Sequence, residues 1–217
     1  YIEITKNDKL KKVSTPFPPA GSLPHADDCE RGELGTVACR ILMKNLWLGR
    51  LSRPDCLRPI NDLASRVTCW SRNDDRKLDY LMCYLKSTWW YYLRGFIHDT
   101  TDKLKILMFV DADFCGDSDS TRSSSGAYIV LAGPNSWFPL CWIYRKQTAT
   151  SRSTTESEVI SFADALFKDA LPMLSLFDLL LGREVELVIL EDNQATIKVL
   201  LRGYSSKLRH IQRTHKV

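Results

Sequence analysis

The sequence of 217 residues lacks any apolar run approaching the length of a membrane span, so no membrane partner is expected. No signal peptide opens it, and it begins at Tyr1 rather than Met, so a fragment or a processed piece is expected. It has no Cys-x-x-Cys pair. Its seven cysteines are odd in number and scattered, which fits free thiols in a reducing compartment better than a disulfide framework or a zinc site. There is no Ser-His-Asp order, no glycine-rich phosphate loop and no histidine zinc motif, so these chemistries have no local signature here. Acidic residues are missing altogether after Asp192, while that tail carries Lys198, Arg202, Lys207, Arg209, His210, Arg213, His215 and Lys216. The net charge of +4 is modest. Its concentration in the tail points to phosphate contact more than the total does.

What is present divides into three stretches. Residues 1–25 hold Pro16, Pro18, Pro19 and Pro24 and read as an extended leader or linker. Residues 26–100 are helical in pattern. Val37, Ile41, Leu42, Leu46 and Leu48 share one face, with Gly49 as a plausible stop. Ile60, Leu63, Ala64 and Val67 mark a second helix, whose start at Pro54 and Pro59 is expected to be irregular. Leu78, Leu81, Met82 and Leu85 mark a third, with Asn73 as its expected N-cap. Trp89-Trp90-Tyr91-Tyr92 follows. It could stack on nucleic-acid bases, but beside a helical stripe a core or inter-domain plug is the stronger expectation.

Residues 101–217 change character. Strands are expected at 106–110, 127–131 and 137–144, separated by short turns, hence an antiparallel meander. Pro139 argues for an edge position or a bulge in the third. Ser153 and Glu156 form a capping box that opens a helix running toward Pro172. A further helix spans 173–181 and is stopped by Gly182. A fourth strand over 185–190 ends in Glu191-Asp192, and a last helix begins at Asn193-Gln194 with Gly203 as its C-cap. Together these make an α/β domain.

The strand Ile106-Leu107-Met108-Phe109-Val110 runs straight into Asp111 and Asp113. A lone acid at a strand end more often caps a turn than binds a metal. Asp111 gains meaning from Asp192 at the end of strand four and from Glu158, two residues beyond the capping Glu156. If strands one and four are neighbours, three carboxylates converge, and they repel one another unless a cation is present. Oxygen ligands without Cys or His select Mg²⁺ or Mn²⁺, and paired ions suit in-line phosphodiester cleavage.

Four motifs occur in order: Val110-Asp111-Ala112-Asp113-Phe114-Cys115-Gly116-Asp117, Arg122-Ser123-Ser124-Ser125-Gly126, Ser153-Thr154-Thr155-Glu156-Ser157-Glu158 and Glu191-Asp192-Asn193-Gln194-Ala195. Together they resemble the RNase H domain of copia-type LTR-retrotransposon reverse transcriptases. Upstream, Val13-Ser14-Thr15-Pro16, Leu51-Ser52-Arg53-Pro54-Asp55 and Tyr84-Leu85-Lys86-Ser87-Thr88 resemble the connection or thumb-like segment of those polyproteins. The polymerase Tyr-x-Asp-Asp motif is absent.

The resemblance implies an RNase H-like mixed five-stranded sheet flanked by helices. It also implies a metal-dependent endonuclease that cuts the RNA strand of an RNA/DNA hybrid, housed with a polymerase domain in a parent polyprotein. The setting would be a cytoplasmic retrotransposon particle or the nucleus. Asp111 and Asp192 match the strand aspartates. Glu158 is preferred over Glu156 as the glutamate, because Val159, Ile160 and the small Ser161 follow it. These three would be catalytic and would ligate two Mg²⁺ ions, with Mn²⁺ as substitute. Asp113 and Asp117 fall to turn or supporting roles. Asn193 and Gln194 would lie along the minor groove, and Lys207, Arg209 and Arg213 would contact phosphate. The family's fourth acid is not visible: Gln212 or His215 replaces it, or it falls beyond Val217. Two alternatives stay open. One is a degenerate RNase H fold that binds nucleic acid or a polymerase partner without cleaving. The other, weaker, is a nucleotide-sugar transferase using Asp111-x-Asp113, in which Asp192 has no role.

Overall fold

A computed structural model describes residues 1–7, 9–19, 21–24, 29–114, 122–148 and 150–203. The chain forms two compact units, Tyr1–Leu93 and Arg94–Val217.

The first unit is helical: α1 (Ile2–Thr5), α2 (Gly35–Leu51), α3 (Leu57–Ala64) and α4 (Arg72–Ser87). Its core gathers the apolar stripes of the last three, among them Ala38, Leu42, Ile60, Leu78 and Leu81, all fully buried. Gly49 does not stop α2, which runs on to Leu51. It is buried, and a Cβ there would meet Ile60 and Leu57 at 3.3 Å, so the missing side chain lets α3 approach. A 3₁₀ turn, Pro54–Cys56, makes the irregular start of α3, and Pro59 sits in that helix's first turn, where its missing N–H is tolerated. The cap of α4 is Ser71 rather than Asn73. Ser71 Oγ accepts from the Asp74 N–H and Asp74 answers the Ser71 N–H at 2.9 Å, while Asn73 turns its amide to the Pro24 carbonyl at 2.8 Å. Trp89, Trp90, Tyr91 and Tyr92 are exposed, not plugged into a core. They follow the end of α4 and do not continue its buried stripe.

The second unit is α/β. Strands β1 (Lys105–Asp113), β2 (Ser124–Gly133), β3 (Ser136–Lys146) and β4 (Leu187–Leu190) form a sheet in the order β3-β2-β1-β4. The first three are antiparallel neighbours, and β4 runs parallel to β1. Among the described residues the sheet has four strands, one fewer than expected. Pro139 lies both on an edge strand and at a bulge: Cys141 and Pro139 pair with the adjacent Ile129 and Val130, so Leu140 is the extra residue. In β1, Ile106, Met108 and Val110 point into the core, while Phe109 and Asp111 face outward.

Helix α5 (Thr154–Ala165) packs on β1 and β2. The expected break at Pro172 is absent. A π-helical turn, Leu166–Ala170, joins α5 to α6 (Leu171–Leu181), and that wider turn accommodates a proline with no N–H to give. Gly182, in the left-handed region at φ 64°, ends α6 as expected. Helix α7 (Gln194–Arg202) follows β4, with Asn193 as N-cap and Gly203 closing it at φ 65°.

Candidate metal centre

The register of the parallel pair positions two of the acids. Phe109 stands opposite Leu190, so two residues further along each chain come Asp111 and Asp192. Strand β1 continues through both of its acids, with Asp111 opposite Gly126 and Asp113 opposite Ser124. The strand expected over 106–110 therefore runs on to Asp113, and Asp111 is held on a paired strand.

The third acid comes from α5. Ser153 Oγ accepts from the Glu156 N–H at 3.2 Å, the first half of the expected capping box. The reciprocal half shifts by one residue, because Glu156 Oε2 accepts from the Arg152 N–H at 3.0 Å. Glu156 is thus occupied as a cap. Glu158 instead turns toward the strand ends, and one carboxylate oxygen from each of Asp111, Glu158 and Asp192 lies within 4.8 Å of the others.

Two buried polar groups hold α5 to the sheet at this point. Gln147 Nε2 donates to Ser125 Oγ at 3.0 Å and to the Ser157 carbonyl at 2.8 Å, while its Oε1 accepts from Ser151 at 2.8 Å. Ser161 Oγ donates to the Asp111 carbonyl at 2.9 Å. Neither role is legible in the sequence: Ser161 reads only as a small residue after Glu158, and a glutamine after a strand carries no pattern of its own.

The electrostatics of the cluster are unfavourable without a cation. Fully ionised carboxylates this close repel by roughly 3 kcal/mol per pair at an effective dielectric of about 20. Glu158 responds most. Burial, then the neighbouring Glu191, Asp111 and Asp192, push its carboxyl up from 4.5 to about 8, against one opposing backbone hydrogen bond from Ala112. Glu191 is a further acid of the site that sequence reasoning left out. Burial raises its pKa, its hydrogen bond from the Asn193 N–H opposes the shift, and the Asp192 and Asp111 charges add to it. Its place beside Asp192 at a strand end was the available signal. Glu158 Oε2 and Glu191 Oε2 are both buried with no hydrogen-bond partner. Such orphaned oxygens are costly unless something electropositive meets them. An all-oxygen donor set of this kind can hold a hard divalent cation.

The remaining predicted residues fall around this cluster. Asp113 ends β1 and is not one of the three converging acids. Asn193 is committed as a cap: its Oδ1 accepts from the Ala195 and Thr196 N–H groups at 3.0 and 3.1 Å. Gln194 is exposed in the first turn of α7. Asp117, Lys207, Arg209, Gln212, Arg213 and His215 lie outside the described residues.

Comparison with known proteins gives likenesses at low identity. Over 154 residues, 71% of its length, the chain is 27% identical to a retrovirus-related Pol polyprotein from transposon RE1 of Arabidopsis thaliana. It is 30% identical over 113 residues to an uncharacterized mitochondrial protein of Arabidopsis thaliana. It is 28% identical over 120 residues to a secreted RxLR effector protein of Plasmopara viticola, covering 80% of that protein. The chain spans 10% of the Pol polyprotein and 44% of the mitochondrial protein. No family model and no solved structure matches it. The likeness to the Pol polyprotein supports a retroelement origin.

Proposed function

We propose that this chain is an RNase H-like portion of a retrotransposon Pol polyprotein, acting beside a polymerase domain and hydrolysing the RNA strand of RNA/DNA hybrids. The observation that carries the reading is the convergence of Asp111, Glu158 and Asp192 within 4.8 Å. It is supported by the order β3-β2-β1-β4 with β4 parallel to β1 and by the likeness to a Pol polyprotein. Asp111, Glu158 and Asp192 would hold Mg²⁺ or Mn²⁺, two ions in all. Such ions supply Lewis acidity at an attacking water and at a leaving 3′-oxygen. The protein's part is to fix the three carboxylates through the β1–β4 register, Gln147 and Ser161. The exposed first turn of α7, with Gln194, offers a polar contact beside the scissile strand.

A second reading, a fold that binds nucleic acid without cutting it, is favoured by the missing fourth ligand of the family pattern. No acidic residue follows Asp192 in the sequence to supply it. A labelled RNA/DNA hybrid in Mg²⁺ and in Mn²⁺, beside an Asp111→Asn control, separates the two. Cuts confined to the RNA strand and absent from the control support the nuclease. Bound but intact hybrid in both metals supports the second reading.

A further inference from the structure

The sequence has no acid after Asp192, but it has one immediately before it, Glu191. Glu191 is not one of the three acids that converge within 4.8 Å, and it reaches the centre from the other face of the sheet. Leu187 and Ile189 of β4 pack against the core of the second unit, and Met108, opposite Ile189, is fully buried. Residues two apart on a strand share a face, so Glu191 follows Ile189 on the core side. Its Oε2 is buried accordingly, whereas Asp111 and Asp192 are exposed. The same core takes in Phe162 and Ala165 of α5, the helix that carries Glu158.

Glu158 and Glu191 thus approach each other from helix and strand. Glu158 is 6% exposed, and its Oε2 has no hydrogen-bond partner. Glu191 Oε1 accepts from the Asn193 N–H at 3.0 Å, which fixes the carboxyl and leaves Oε2 buried and unmatched. After burial, the Glu191 charge is the largest cause of the raised Glu158 pKa, ahead of Asp111 and Asp192. Among the described residues no lysine, arginine or histidine pairs with either glutamate. Two buried carboxylate oxygens with no donor between them are costly. A hard divalent cation is the group that satisfies both at once.

We propose that Glu191 is the fourth carboxylate of the metal centre, holding with Glu158 a second divalent cation beside the ion taken by Asp111, Glu158 and Asp192. Glu158 is then shared between the two ions. The inference rests on the proposed metal centre and deepens it: the ligand absent after Asp192 is supplied from the strand end itself.

The test loads the full chain with Mn²⁺ at pH 8 and reads electron paramagnetic resonance. Loss of the free-ion signal counts bound ions. The frozen spectrum shows whether they are neighbours, because ions roughly 3.5–4 Å apart couple magnetically. Wild type takes up two ions and gives the coupled spectrum. Glu191→Gln, whose amide oxygen can still accept from the Asn193 N–H, takes up one ion and gives the isolated-ion spectrum. Its affinity for a second ion falls at least about tenfold, the range for losing even an outer partner of a metal site. Its metal-free melting temperature stays at or above that of wild type, because a buried repulsion is removed. A coupled pair retained by Glu191→Gln overturns the inference, as does a wild type that binds a single ion. Retention of both ions by Asp111→Asn sinks the metal centre itself. Loss of ions in Asp111→Asn with a coupled pair kept in Glu191→Gln sinks the role of Glu191 alone.

Discussion

Ser161 and Asp111 are joined by a single hydrogen bond, in which the serine hydroxyl of α5 donates to the backbone carbonyl of the strand residue at 2.9 Å. Ser161 is 1% exposed and lies three residues after Glu158. One bond therefore fixes the helix face that carries the glutamate against the strand end that carries the aspartate. Ser161→Ala should cost about 1 kcal/mol of stability and weaken Mn²⁺ binding several-fold. Ser175→Ala, whose hydroxyl donates to the Leu171 carbonyl on an exposed helix face, should change neither. Thermal melting with parallel Mn²⁺ titration checks the pair.

Gln147 makes three buried hydrogen bonds, to Ser125, Ser151 and the Ser157 carbonyl. Gln147→Leu leaves those partners unsatisfied and should cost roughly 2–3 kcal/mol. The loss should fall on the first turn of α5, seen as faster amide exchange there than in α6.

The pH dependence of the metal-free chain has a definite sign. Burial and the Glu191, Asp111 and Asp192 charges raise the Glu158 carboxyl from 4.5 to about 8. The folded chain therefore keeps a proton that the unfolded chain releases near 4.5. The stability tied to that proton is complete below 4.5 and is lost as pH rises toward about 8. A cation must displace the same proton, so its affinity should climb with pH across this window and level off above it. Calorimetry in two buffers of different ionisation enthalpy should find close to one proton released per chain at pH 6.5 and almost none at pH 9. Glu158→Gln should abolish the difference. Release that stays constant between these two pH values contradicts this assignment.

In the helical unit, Asp74 is fully buried and is held by Arg66 at 2.8 Å as well as by the Ser71 cap. Arg66→Met removes its main counter-charge and should destabilise this unit by about 3 kcal/mol. Ser71→Ala, which loses only the cap, should cost about 1 kcal/mol. Urea denaturation of the two variants checks the order.

Much of the second unit is legible in the sequence because its signals are local. The meander follows from short apolar runs between turns, the cap of α5 from Ser153 and Glu156, and the ends of α6 and α7 from Gly182 and Gly203. The choice of Glu158 over Glu156 has a local cause too, since a glutamate committed to a cap cannot also turn to the strand ends. What the sequence hides depends on tertiary contact. Gly49 looks like a helix stop until α3 is seen against it. Asn73 looks like a cap until Ser71 and Asp74 are seen to exchange bonds. Pro172 looks like a break, but a π turn absorbs it. Glu191 looks like an ordinary strand-end acid until its nearness to Glu158 and Asp111 in space is seen.

The central claim, that Asp111, Glu158 and Asp192 form one divalent-cation site, is tested most directly by counting bound Mn²⁺ from the loss of the free-ion electron paramagnetic resonance signal. Wild type, Asp111→Asn, Glu158→Gln, Asp192→Asn and Glu156→Gln are compared at one protein concentration and pH 8. The account predicts that each of the first three substitutions weakens Mn²⁺ binding at least tenfold, while Glu156→Gln, whose amide oxygen can still accept from Arg152, binds as wild type does. Mn²⁺ binding that survives Asp192→Asn unchanged, or that is lost with Glu156→Gln in a chain that remains folded, would contradict it.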